Sequence, residues 1–162
     1  MNTVDQWSDF FVASVGASAA LAGLVMVAVS VNVKAILDGP ALPARAASTV
    51  AILVLILACT TVGLIKAQSL RALGTELLIF GVLGLVPALY STRAGLRVAG
   101  RPWPERVFHL VVGQATPGLF LVAGGLLVAG STSGFFWIVA AVITGYVVAT
   151  LNAWVLLIEI LR

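Results

Sequence analysis

Few side chains in this 162-residue chain carry a charge or a nucleophile, so the first question is what chemistry those few could do. The deepest acid is Glu76, which lies about seven residues inside a long apolar run. At a rise of 1.5 Å per residue, that is roughly 10 Å from the start of the run. A carboxylate at this depth binds a cation, relays a proton or pairs with a donor, and Lys66 and Arg71 are near in sequence. We expect a basic or hydrogen-bonding partner for Glu76.

The only histidine and three amides are the other polar groups set in apolar sequence. His109 and Gln114 share one run, Asn32 ends the first run and Asn152 lies late in the last. Counting along the runs places His109, Asn32 and Asn152 at similar depth, so they could converge near one membrane face. Such groups usually hydrogen-bond between helices, with a proton or ion path as the alternative. One His without Cys, Asp or a second His nearby makes a poor metal site.

The sequence does not indicate that these residues form a catalytic site. A nucleophilic triad needs a base that an acid orients, and counting along the runs puts His109 and Glu76 near opposite membrane faces. An intramembrane aspartate pair is also missing, because Asp5, Asp9 and Asp38 fall at ends or in loops. The sequence contains no phosphate-binding loop. We therefore predict a non-enzymatic protein with no catalytic residues, no cofactor and no metal.

Membrane-spanning helices are the elements that must hold these residues. Hydrophobic residues make up 61% of the chain and charged ones 9%, whereas a soluble domain carries about 25% charged residues. A span needs about 20 apolar residues, and continuous rather than alternating runs predict helices instead of barrel strands. We predict an all-α integral membrane bundle, one transmembrane domain over 1–162. Its five spans are expected at about 7–33, 47–65, 69–90, 107–130 and 134–161.

Basic residues set the orientation that we expect for this bundle. Of nine Lys and Arg, seven fall in the first and third connections and at the C-terminus, and only Lys66 and Arg71 fall on the other side. By the positive-inside rule, the N-terminus is outside and the C-terminus is cytoplasmic. Because these residues flank the spans, the net charge of +3 needs no nucleic acid as a partner.

Small residues are dense in the first run, and close backbone packing is what associates helices in lipid. Gly16 and Ala20 are four residues apart, as are Ala19 and Gly23, and this spacing lets backbones approach. We expect the first helix to be central and to form homo-oligomers, with tight packing inside one chain as the alternative. The fourth run offers a second set of glycines at Gly113, Gly118, Gly124 and Gly125.

A homo-oligomeric ion channel lined by the first helix is the alternative function. Its lining, in chain order, would be Ser14, Ser18, Leu24, Val27, Ser30 and Val31. The three serines would face water, and the three larger side chains would form an apolar constriction that gates by dewetting. A ring of first helices around a water-filled axis is the arrangement that this hypothesis requires.

Five stretches that together extend over most of the chain carry a resemblance to a known family. They are FFVASVGASAALAGL at 10–24, VAVSVN at 27–32, LPARA at 42–46, LGTELL at 73–78 and LNAWVLLIEILR at 151–162. These strings resemble those of a family of small actinobacterial multispanning membrane proteins, often labelled modulator of the membrane protease FtsH. The resemblance implies the bacterial plasma membrane. With the absence of catalytic motifs, we expect an accessory or modulator that contacts lipids, its own copies and another membrane protein.

Overall fold

The fold of this chain, given by a computed structural model, is a bundle of helices. The structure describes residues 3–39, 42–96 and 103–160, with side chains described except at 94–96, 103–111, 157, 159 and 160. A 3₁₀ turn, Val4–Trp7, precedes six α-helices. They are α1 (Ser8–Val31), α2 (Val33–Asp38), α3 (Leu42–Val62), α4 (Leu70–Leu96), α5 (Trp103–Val128) and α6 (Gly134–Ile160). Helix makes up 89% and the described ranges hold no strand, so the predicted all-α class is confirmed.

Among the residues that the structure describes, four helical segments are long and apolar enough to cross a membrane. They are Val4–Val31, Leu42–Val62, Leu70–Arg93 and Gly134–Leu156. In α5, the described residues hold a shorter apolar stretch, Val112–Val128. These helices agree with the predicted helical membrane protein, whereas the fifth span and the orientation stay predictions.

Helix ends differ from the predicted spans mainly near prolines. α3 begins at Leu42 rather than at residue 47, because Pro43 lies in the first turn, where its missing N–H leaves no helical hydrogen bond unmade. α4 runs through Pro87 to Leu96, beyond the predicted end at residue 90. The short helix α2, which follows a break at Asn32, was not predicted.

α4 and α5 pack closely because two glycines face each other between them. A Cβ atom on Gly74 would lie 2.7 Å from the carbonyl oxygen of Gly124, and a Cβ on Gly124 would lie 2.7 Å from that of Gly74. These distances are shorter than any real Cβ contact. Only glycine at both positions therefore permits this crossing.

The buried core lies chiefly among α3, α4, α5 and α6, and α1 lies at its edge. Only 11% of the span that contains α1 is buried, against 50% of the α3 span and 44% of the α6 span. Within one chain the first helix is thus peripheral, and the expectation that it would be central is wrong. The largest fully buried side chains include Phe11, Phe120, Phe135, Leu53 and Ile56.

A tight hairpin joins α3 to α4, which makes these two helices antiparallel neighbours. Ala67 adopts a left-handed conformation, with φ of 59°. The Ser69 hydroxyl accepts a hydrogen bond from the backbone N–H of Ala72 at 3.2 Å, so Ser69 caps the start of α4. The hairpin brings Gln68 back over the first turns of α4, next to Glu76.

Candidate functional site

Glu76 has the hydrogen-bonding partner that its depth in an apolar run leads one to expect. Gln68 Nε2 donates to Glu76 Oε2 at 2.5 Å, and Gln68 is only 8% exposed. Lys66 and Arg71 are exposed, and among the described side chains neither forms an ion pair with Glu76. The partner is therefore a neutral amide from the hairpin. A donor that is held in place by a turn favours a structural role for Glu76 over ion handling.

Gln114 belongs to a second polar contact, between α4 and α5. Its Nε2 donates to Thr92 Oγ1 at 3.2 Å, and the Thr92 hydroxyl donates to the Ala88 carbonyl oxygen at 2.9 Å. Gln114 Oε1 is buried without a hydrogen-bond partner among the described atoms, and so is Thr116 Oγ1. Pro117 has no N–H, so the helical hydrogen bond to the carbonyl of Gly113 is missing as well. This contact joins α4 to α5 and leaves acceptor oxygens, such as Gln114 Oε1, without a described donor.

His109, Asn32 and Asn152 were predicted to converge. The described side chains among them, Asn32 and Asn152, form no hydrogen bond with each other. Asn32 Nδ2 donates to the carbonyl oxygen of Ala28 in its own helix at 2.9 Å. Asn152 is half-buried on α6 and forms no hydrogen bond with Asn32. The side chain of His109 lies outside the described residues. Asn32 and Asn152 therefore act separately.

Ser14 and Ser18 lie on the buried side of α1, against α6. The Tyr146 hydroxyl donates to the Ser14 carbonyl oxygen at 2.8 Å, and the Ser18 hydroxyl donates to the same oxygen at 2.6 Å. Both serines are at most 4% exposed. They join α1 to its own bundle, so they cannot line an axis on the opposite side of that helix. Ser30 is exposed and donates to its own helix at Met26.

The opposite side of α1 has no neighbour within the chain. Gly16, Ala20 and Gly23 are exposed, and a Cβ atom on either glycine would meet nothing within 4 Å. Leu24, Val27 and Val31 continue this side and are 69%, 63% and 78% exposed. At 100° per residue, this stripe faces directly away from Phe11, Ser14 and Ser18. We call it the outward stripe of α1, consisting of Ala13, Gly16, Ala17, Ala20, Gly23, Leu24, Val27 and Val31.

A groove of about 270 Å³ lies between the second half of α1, α3 and α6. Residues from Leu21 to Asn32 form its α1 side, and Ala149 and Ala153 form its α6 side. Leu53 of α3, which is fully buried, also lines it. Among the lining residues, only Asn32 and Thr150 are polar. We call this space the α1–α6 groove.

The polar contacts described above depend on three residues that the sequence did not lead us to predict: Tyr146, Gln68 and Thr92. Tyr146 could have been suspected, because a phenol in an apolar helix seeks an acceptor. Gln68 carries no such signal, since its contact with Glu76 depends on the non-helical backbone of Gln68 and Ser69 before α4. Thr92 looks like any span hydroxyl that bonds its own helix, as Thr60 and Thr61 do.

Within the described part of the chain, no three His, Cys, Asp or Glu side chains are grouped as metal ligands. In the described part of the chain the polar contacts link neighbouring elements in pairs, and beside them lie the outward stripe and the α1–α6 groove. Comparison with models of known protein families, with curated proteins and with solved structures finds no match for the chain.

Proposed function

We propose that this chain is a non-enzymatic, five-span plasma-membrane protein that associates with transmembrane helices of its own copies through the outward stripe of α1, and that it acts as an accessory to a membrane partner. The observation that carries the proposal is the division of α1 into two sides. One side packs on the bundle, where the Tyr146 hydroxyl bonds the Ser14 carbonyl oxygen and Ser18 is buried. The other presents small residues to open space.

Small residues matter here because lipid tails are as apolar as leucine and give no hydrophobic drive to helix association. Close approach of backbones supplies the attraction instead. Elsewhere in this chain glycines serve such contacts, as Gly74 and Gly124 do between α4 and α5. Gly16 and Ala20 offer the same surface, and they lack a neighbour.

Five spans with the N-terminus outside are part of the proposal. The support is the 26-residue length of α5, which matches the length of a span at 1.5 Å per residue. The distribution of Lys and Arg supports the orientation. Cysteine-accessibility labelling at Ser131, in the α5–α6 turn, tests both: labelling from outside intact cells is expected, and labelling only after permeabilisation would contradict the orientation.

Association is tested by energy transfer between donor-labelled and acceptor-labelled copies in liposomes, with dilution by added lipid. Ala20→Leu puts a larger side chain at the centre of the stripe, and overpacking costs about 1–3 kcal/mol, so we expect association to weaken at least about fivefold. Ala47→Leu, at an exposed alanine of α3, is the control and should associate as the natural chain does. Equal association of the Ala20 variant, or a natural chain that stays monomeric, would refute the proposal.

The accessory role has its own test. Crosslinking in native membranes, gentle detergent extraction and mass spectrometry should recover a second membrane protein with the natural chain. Recovery of this chain alone would count against a partner.

In the alternative function, a homo-oligomeric channel, the residues that line the pore would differ from those expected from the sequence. An axis between outward stripes would be bordered by Gly16, Ala20, Leu24, Val27 and Val31, all apolar, while Ser14 and Ser18 face the bundle. Ion flux in liposomes that disappears with Ala20→Leu would favour the channel over the accessory role.

A further inference from the structure

The α1–α6 groove lies beside the second half of α1, a helix that packs chiefly on α3 and contacts α6 mainly in its first half. In the first half, the Tyr146 hydroxyl bonds Ser14, and the rings of Trp7 and Phe135 stack with centroids 5.1 Å apart. In the second half, from Leu21 to Asn32, the groove separates the two helices. Something other than this chain must fill that space in a bilayer.

The groove has the length of one lipid leaflet. From Leu21 to Asn32, α1 rises about 16 Å at 1.5 Å per residue. Half of a hydrocarbon core of about 30 Å is about 15 Å. The polar residue Asn32 lies at the end where α1 stops, which is where lipid headgroups would lie. The groove thus runs from mid-membrane to one interface.

Its width selects the occupant. All the empty space in and at the mouth of the groove is about 840 Å³, which over about 16 Å of length gives a mean cross-section of at most about 50 Å². A helix is 10–12 Å across with its side chains, so a helix from a second copy is too wide to enter. The apolar lining excludes ordered water, which needs two to four polar partners. A single hydrocarbon chain meets both conditions.

Charge at the headgroup end points to an anionic lipid. Lys34 follows Asn32 by two residues and is exposed, and no ion pair engages it within the described residues. Basic residues near a membrane surface attract anionic lipids. Lys34 can reach toward the interface while its stem stays in apolar surroundings.

We propose that the α1–α6 groove binds one acyl chain of an anionic phospholipid, whose headgroup lies beside Asn32 and Lys34 and whose chain fills the space between α1 and α6. The proposal rests on the proposed function only in that α1 must cross the membrane; it does not require association of copies. The lipid would hold the second half of α1 in place, as Tyr146 holds the first half.

The test is native mass spectrometry of the purified chain after delipidation and addition of phosphatidylglycerol or phosphatidylcholine. We expect one retained phosphatidylglycerol per natural chain, and retention of phosphatidylcholine lower by about fivefold. Ala28→Trp fills the groove from an exposed position on α1 and should reduce retention at least fivefold. Ala47→Trp, at an exposed position of α3 outside the groove, should retain lipid as the natural chain does. Lys34→Gln should abolish the preference for phosphatidylglycerol.

If Ala28→Trp lowers the helical content, lipid retention is measured in Thr150→Phe instead, which fills the same groove from α6. Undiminished retention in a folded groove-filling variant overturns the proposal, and so does a natural chain that retains no lipid. Disulfide crosslinking of Ala28→Cys between copies would show that a neighbouring chain occupies the groove instead, which also overturns it. Energy transfer between copies should be unchanged in Ala28→Trp, so loss of lipid and loss of association are separable.

Discussion

Replacing Gly124 by alanine should loosen the α4–α5 contact and destabilise the protein. The added Cβ would lie 2.7 Å from the Gly74 carbonyl oxygen and 3.0 Å from the Leu78 backbone nitrogen. Both atoms belong to the backbone of α4, so no side chain can turn away and the helices must separate. Overpacking of this kind costs about 1–3 kcal/mol.

The neighbouring glycine supplies a matched control in the same helix. Gly125 is exposed, and a Cβ there would meet nothing within 4 Å. Gly125→Ala therefore adds the same methyl group without a clash and should gain up to about 1 kcal/mol from lower backbone entropy. Both substitutions gain the same backbone entropy, so the two variants are expected to differ by the cost of overpacking at Gly124, about 1–3 kcal/mol.

Reversible unfolding in mixed detergent micelles, followed by circular dichroism and tryptophan fluorescence, measures the difference. Gly74→Ala should destabilise like Gly124→Ala because it disrupts the same contact. The double variant should lose less than the two single losses combined, since the first substitution already separates the helices. Equal stability of Gly124→Ala and Gly125→Ala would show that the glycine contact is not as close as the structure has it.

Three further substitutions test the polar contacts and the hairpin by the same unfolding measurement. Tyr146→Phe removes one hydrogen bond to Ser14 and should cost about 0.6 kcal/mol, at most about 1.7; a larger loss would mean that the hydroxyl has a further role. Thr116→Val removes a buried hydroxyl without a described partner and should be neutral or stabilising by up to about 1 kcal/mol, so a loss of 2 kcal/mol would reveal a partner. Ala67→Gly relieves the left-handed backbone at residue 67 and should stabilise the protein by up to about 1 kcal/mol. The control Ala72→Gly, inside α4, should destabilise it by about 0.5–1 kcal/mol. A loss of stability in both variants would show that the backbone at Ala67 is not strained.

Apolar run length predicts the helices of this chain because no other secondary structure satisfies the backbone in lipid. Their ends are harder to predict, because proline has two effects. Pro43 begins a helix and Pro87 lies within one, although both lack an N–H. In the first turn of a helix, the missing N–H of proline leaves no helical hydrogen bond unmade. Inside a helix, it leaves the carbonyl four residues earlier without its helical donor, and packing in the folded protein decides whether the helix continues.

The position of α1 could not be read from its sequence, because in lipid the protein-facing and lipid-facing sides of a helix are equally apolar. The periodicity that marks the buried side of a soluble helix is therefore absent. α1 carries small residues on both sides: Ser14 and Ser18 face the bundle, and Gly16 and Ala20 face away. The sequence identifies a helix suited to close packing without showing which side packs within the chain.

A partner for Glu76 was predictable, whereas its identity was not. The energetic argument requires only that a carboxylate in apolar sequence be hydrogen-bonded or paired, and Gln68 meets it. Gln68 precedes Glu76 by eight residues, which would place a helical residue more than two turns away. Gln68 lies outside the helix, one residue before the Ser69 cap, so the helical spacing does not apply and its side chain reaches Glu76 along the first turns of α4.

Leu24 connects the two surfaces that are proposed for α1. It lines the α1–α6 groove and, at 69% exposure, also belongs to the outward stripe. A lipid chain in the groove fixes the second half of α1 and with it the direction in which Leu24, Val27 and Val31 project. The two surfaces nevertheless have different neighbours, because the groove lies between α1, α3 and α6, whereas the stripe faces away from the chain at Gly16 and Gly23. Filling the groove by Ala28→Trp is therefore expected to remove the lipid and leave association unchanged, because Gly16 and Ala20 on the stripe keep their surface.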